Sequence, residues 1–152
     1  DKLPKVAFFA VQSASDIAEN MKTNPFAFHR MSSFQIYVNN HEYFPFPIKF
    51  TDDRNDRDDF SEAYIQLYKA LGLEMKGDCL INSTNFNIYY IFGVPLTANR
   101  NHLKHLNLQK QAEVRVEIKL EVEPTAPLVL ITYALYDRLY SIDHNRQLSI
   151  IE

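Results

Sequence analysis

Few residues in this chain have types and spacings that chemistry would use. The acidic run Thr51-Asp52-Asp53-Arg54-Asn55-Asp56-Arg57-Asp58-Asp59 offers carboxylates, the donors of a calcium loop. Such a loop also needs a glycine at its sharp turn and a closing bidentate glutamate. Here no glycine stands between Thr51 and Gly72, and Arg54 and Arg57 interrupt the acids. The run is read instead as a solvated loop that feeds negative charge to the N-terminus of a following helix. His102 and His105 are spaced to share one helical face, as zinc-binding pairs are. Their neighbours Asn101 and Asn107 are poor zinc ligands, so these read as loop histidines. Cys79, the single cysteine, would need a histidine beside it in space to act as a nucleophile. Followed by Leu80-Ile81, it reads as a small buried hydrophobe. It can make no intrachain disulfide.

Other chemistries lack their signatures. The three glycines, Gly72, Gly77 and Gly93, are scattered, so no glycine-rich phosphate cradle or nucleophile elbow can form. Lys104, Lys110, Arg100 and His102 make one mild basic cluster, read as a solvated loop. Tyr89, Tyr90, Tyr133, Tyr136 and Tyr140 are candidates for a carbohydrate or base-stacking platform. Tyrosines on strands, however, mostly pack with a wet hydroxyl. The sequence therefore assigns no catalytic, cofactor-binding or metal-ligating residue.

The elements that would position these groups are mostly strands. The chain has 152 residues, and 16 Lys plus Arg against 19 Asp plus Glu gives 16 − 19 = −3. That length suits a single domain spanning residues 1–152. The charge speaks against a dedicated nucleic-acid binder. No apolar run approaches the roughly 20 residues of a membrane-spanning helix. The start at Asp1 rather than Met suggests a processed product or a piece of something longer. Eleven Phe and nine Tyr favour pleated, half-buried strands.

Lys5 to Val11 reads as a strand buried on both faces. Asp16 to Met21 suggests a helical turn, and Asn24-Pro25-Phe26 a turn or loop anchor. Ser33 to Asn39 alternates, with Phe34, Ile36 and Val38 on one face, and Asn39-Asn40 suits a hairpin turn. His41 to Phe50 carries Pro45 and Pro47, so it is an edge strand or an extended crossing. Phe60 to Leu71 has a helical period through Phe60, Ala63, Tyr64, Leu67 and Leu71. An Asp59/Glu62 capping box opens it and Gly72 ends it. Asp78 to Ser83 and Asn85 to Val94 follow as strands, the second with Phe86, Ile88, Tyr90 and Phe92 on one face. Pro95 to Lys110 is a long loop. Ala112 to Glu123 alternates most sharply: Val114, Val116, Ile118, Leu120 and Val122 oppose Glu113, Arg115, Glu117, Lys119 and Glu121. Leu128 to Tyr136 is a mostly apolar strand. Leu139 to Asp143 and Gln147 to Ile151 form a last hairpin around His144-Asn145-Arg146. The fold class is all-β: a jelly-roll sandwich of about eight strands with one short helix in a connecting loop.

Taken in order, several of these segments resemble a known family. They are Leu3-Pro4-Lys5, Asn24-Pro25-Phe26-Ala27-Phe28, Phe34-Gln35-Ile36-Tyr37-Val38-Asn39, and Ala63-Tyr64 with Leu67 and Leu71-Gly72. Phe86 to Leu96, His105-Leu106-Asn107-Leu108, Val114-Arg115-Val116-Glu117-Ile118, and Ile131 to Asp143 with Arg146 complete the set. Together they resemble the C-terminal jelly roll of the double jelly-roll major capsid proteins of Polinton/Maverick-type elements and their adintovirus relatives. The chain departs from the family at Val94-Pro95-Leu96-Thr97-Ala98 and at Asn40, where the family has a turn glycine.

The resemblance implies a virus-type structural protein, the second of two jelly rolls in a longer capsid chain. Three such chains would form a trimeric pseudo-hexagonal capsomer. The implied partners are the first jelly roll of the same chain, the other subunits of the homotrimer and neighbouring capsomers. It implies no direct nucleic-acid contact, no cofactor and no enzymatic activity. The implied location is the virion capsid, and the host-cell interior during assembly. The competing expectation is a ligand-binding β-sandwich of lectin-like or cytokine-like type, favoured by the tyrosines.

Overall fold

A computed structural model describes residues 2–18, 30–50, 60–73, 81, 86, 90–96, 111–137 and 139–151. Among these residues the chain is an all-β sandwich with two helices. The strands are β1 (Val6–Ser13), β2 (Met31–Val38), β3 (His41–Glu42), β4 (Ile48–Lys49), β5 (Ile91–Pro95), β6 (Val114–Leu120), β7 (Leu128–Leu135), β8 (Leu139–Ile142) and β9 (Leu148–Ile151). The helices are α1 (Ala14–Ala18) and α2 (Ser61–Ala70). The described strands number nine rather than eight, because Pro45 and Pro47 divide the 41–50 segment into two short pieces. The helices number two rather than one, because the turn expected near Asp16 is regular from Ala14.

One sheet has the order β5-β1-β7, and in the other β2 pairs with β3 and β4 on one side and β6 on the other. All these pairings are antiparallel. β8 and β9 form a separate hairpin. The core lies between the two sheets. Phe34 and Ile36 of β2 are fully buried, and Phe34 stacks on Phe92 of β5 with ring centroids 4.7 Å apart. Phe9 and Val11 of β1 complete this layer. β1 is buried on both faces because α2 covers part of its sheet's outer side. A Cβ built on Gly93 would lie 2.8 Å from Ala70 Cβ and from Leu67 Cδ1, so only glycine allows the helix this close to β5.

The helix ends as its sequence dictates. Gly72 takes φ 69° after the C-cap Leu71; its N–H bonds Lys69 O, and Leu73 N–H bonds Tyr68 O. This double bond pattern satisfies the last free carbonyls of the helix. Two sequence expectations are corrected here. The N-cap position is Phe60, whose side chain makes no cap, rather than Asp59; Leu71 is exposed, and Ala63, Gln66, Leu67 and Ala70 form the buried face. β5 begins only at Ile91, and Phe86, fully buried, is helical rather than part of a strand. The Asn39–Asn40 turn forms, with φ of 50° and 64°, and joins β2 to β3.

Candidate interaction surface

The two long sides of the sandwich differ. One side is shut. There Tyr43 donates to the carbonyl of Pro95 across the sheets, and Phe50 stacks on Phe60 at 5.4 Å and packs on Phe92 at 5.6 Å. Gln35 pins the 43–47 crossing from beneath. Its Nε2 donates to Phe44 O at 3.0 Å, and its Oε1 accepts from Ile36 N at 2.9 Å and Phe44 N at 3.4 Å. Those bonds are why a glutamine can be buried on this strand.

The other side is open. Between β6 and β7 lies a cleft of about 800 Å³, floored by Ala7 and Phe9 and walled by Val114, Val116, Leu130 and Thr132. Among the described residues β6 pairs only with β2, and β7 only with β1. Among the described residues each sheet therefore ends in an unpaired edge at this cleft.

The β6 edge is guarded by charge. Its inner face carries Val114, Val116 and Ile118, while Arg115, Glu117 and Lys119 project outward. The Arg115 guanidinium lies 4.1 Å from the Tyr37 ring centroid, the Tyr37 hydroxyl donates to Glu117 at 3.3 Å, and Lys119 Nζ sits 3.3 Å from Glu117. Desolvation first, and the Glu117 carboxylate second, push the Tyr37 phenol above its ordinary value. The alternation in the sequence is borne out by this two-faced strand, although it ends at Leu120 and leaves Val122 exposed.

The β7 edge carries no charge at all. Its sequence is Leu-Val-Leu-Ile-Thr-Tyr-Ala-Leu, with neither proline nor glycine. Val129, Ile131, Tyr133 and Leu135 lie on the outer face, and Leu130 faces the cleft; all are exposed. The following hairpin adds Tyr140, Ile142, Leu148 and Ile150. The pairs Tyr140–Ile150 and Ile142–Leu148 put all four on one face. Among the described residues, ten of the fifteen exposed large apolar side chains fall between Val129 and Ile150. Their exposure runs from 37% at Ile131 to 68% at Ile142. On β7, Val129, Ile131, Tyr133 and Leu135 line one face, and soluble monomers rarely leave large apolar faces bare.

The sequence-nominated residues disperse. The acidic run 52–59, His102, His105, Cys79, Tyr89, Arg100, Lys104 and Lys110 lie outside the described residues. Tyr133 is on the outer face of β7, Tyr136 lines the cleft and Tyr140 is on the hairpin. Tyr90 packs beside Phe60 at 5.5 Å. The described tyrosines therefore build no single platform. Among the described residues no three His, Cys, Asp or Glu side chains gather as a metal site. No helix among them is long and apolar enough to cross a membrane. The surface that does emerge is the exposed strand β7, whose uncharged run reads in the sequence as a buried strand.

The chain matches no family model, no curated protein and no solved structure.

Proposed function

We propose that the chain is a structural module that works by packing against other protein subunits, as a domain of a virus-type major capsid protein. In this reading it is the second of two jelly rolls. It joins the first roll of its own chain and two further copies in a trimeric pseudo-hexagonal capsomer, which meets neighbouring capsomers in the shell. It works in the virion, after assembly inside the host cell. It performs no reaction, needs no cofactor and touches no nucleic acid directly. The carrying observation is the exposed apolar stretch from Val129 to Ile150, on a sandwich whose β6–β7 side stands open. The ordered segments that resemble the capsid family add to it. The test is mass in solution, followed by electron microscopy of the full-length polypeptide. Multiples of three, and shells, support the reading. A monomer at every concentration, with no particles, contradicts it.

A second reading rests on one specific observation, the 800 Å³ cleft with Tyr136 among its lining residues. A ligand-binding sandwich would use that cleft. A saturable small-molecule or glycan ligand protecting Tyr136 from modification in a monomeric protein would favour it over assembly.

A further inference from the structure

We propose that the free edge of β7 pairs antiparallel, about a two-fold axis, with β7 of a second copy of this chain, joining two three-stranded sheets into one.

Ala14 N–H donates to Pro127 O at 2.9 Å, in register with the β1–β7 ladder. Peptide groups alternate sides along an antiparallel strand. The odd-numbered residues of β7 therefore turn theirs to β1, and Leu128, Leu130, Thr132 and Ala134 turn theirs to the free edge. An uncharged edge of this length, without proline or bulge, is a template for another strand.

A second β7 fits this template. A two-fold axis normal to the sheet keeps each face on its own side, so even-numbered residues must oppose even-numbered ones. The registers that do this are centred on Ile131 or on Thr132. Both set outward N–H groups against outward C=O groups, and apolar side chains against apolar side chains. Neither opposes like charges within β7, which carries none, and just beyond its C-terminal end Lys5 and Asp137 are paired at 3.1 Å.

A large side chain buries about 150 Å² or more, so half-exposed ones offer roughly 80 Å² each. The four on the outer face of β7, Val129, Ile131, Tyr133 and Leu135, then offer about 300 Å² per copy, which the main-chain hydrogen bonds of the edge supplement.

This pairing goes beyond the capsomer reading and separates from it, because a two-fold contact gives dimers and a capsomer gives multiples of three. The experiment is sedimentation of the whole chain over a range of concentrations, with two kinds of variant. The double variant Ile131→Lys/Tyr133→Lys places lysine opposite lysine across the axis when the register is centred on Thr132. When the register is centred on Ile131, the lysine introduced at that position faces its own symmetry mate. Both wild-type side chains are exposed, so at protein concentrations below those at which the wild type dimerises the melting curves should coincide. Ile131→Cys and Thr132→Cys, each in a Cys79→Ser background, report the register by oxidative cross-linking. The pairing predicts a wild-type dimer, a dissociation constant raised about tenfold or more by the lysines, and cross-linked dimer from one or both cysteine variants. A monomer throughout, an oligomer that the lysines leave intact, or no cross-link at either position overturns it. Trimers indifferent to the lysines would overturn the pairing and leave the capsomer reading standing. Dimers that the lysines dissolve, without trimers or shells, would do the reverse.

Discussion

β6 and β7 end the two sheets of the same sandwich, flank the same cleft and have nearly the same length. In both, the register leaves even-numbered peptide groups facing outward: Glu113 O accepts from Asn39 N, as Pro127 O accepts from Ala14 N. Their side chains differ. Val-Arg-Val-Glu-Ile-Lys-Leu gives β6 three charged residues, bound to one another and to Tyr37. β7 gives solvent only apolar and hydroxyl-bearing groups. A free edge is dangerous to a monomer and useful to an assembly, and charge is a common way to blunt one. The sandwich thus has one edge built to stay alone and one built to be covered.

The largest effect tests what the two edges share. Phe34 packs under both sheets, against Phe9 at 5.9 Å and Phe92 at 4.7 Å. Phe34→Ala should cost about 3–5 kcal/mol in denaturant unfolding and loosen both edges in one transition. Separate transitions for the two sheets would mean the edges do not rest on one core.

A smaller effect should touch only the guarded sheet. Gln35→Ala removes the bonds that hold the 43–47 crossing on β2. It should cost about 1–3 kcal/mol and speed amide exchange at Phe44, with β7 unchanged. Smaller still in stability, but sharp for the comparison, is removal of the guard. Arg115→Val/Glu117→Thr/Lys119→Val should alter unfolding by about 0.5 kcal/mol yet give a protein whose mass climbs further with concentration than wild type. An unchanged mass would mean that the charges do not keep β6 alone.

The smallest effect is in pH. The folded state holds the Tyr37 phenol above its unfolded value of 10.0. Its contribution to stability is therefore full below about pH 10 and is lost as pH rises through the raised value. Tyr37→Phe should flatten that alkaline limb of a pH–stability curve and leave the neutral region alone.

Much of this fold is legible in the sequence. The period-two run from Val114 and the helical period from Phe60 each have one buried face, and such patterns survive in the fold. Gly72 and Asn39–Asn40 announce their turns, because positive φ favours those residues. The strand expected over Asn85–Val94 is longer than the one that forms: β5 begins at Ile91, and the buried Phe86 is not part of it. The burial of Gln35 is not legible: it depends on a carbonyl and an amide nine residues away, brought over it by the proline-divided crossing. The exposure of β7 is hidden for a related reason. An apolar strand in a sequence reads as buried, and only the strand order shows it at an edge with nothing beyond among the described residues.

The most direct test of the unguarded edge is residue-resolved amide exchange at low and high protein concentration. Leu130, Thr132 and Ala134 should gain protection as concentration rises, while Val114, Val116 and Ile118 on the β6 edge should not. Exchange at Leu130, Thr132 and Ala134 that stays fast at every concentration would contradict the β7 pairing.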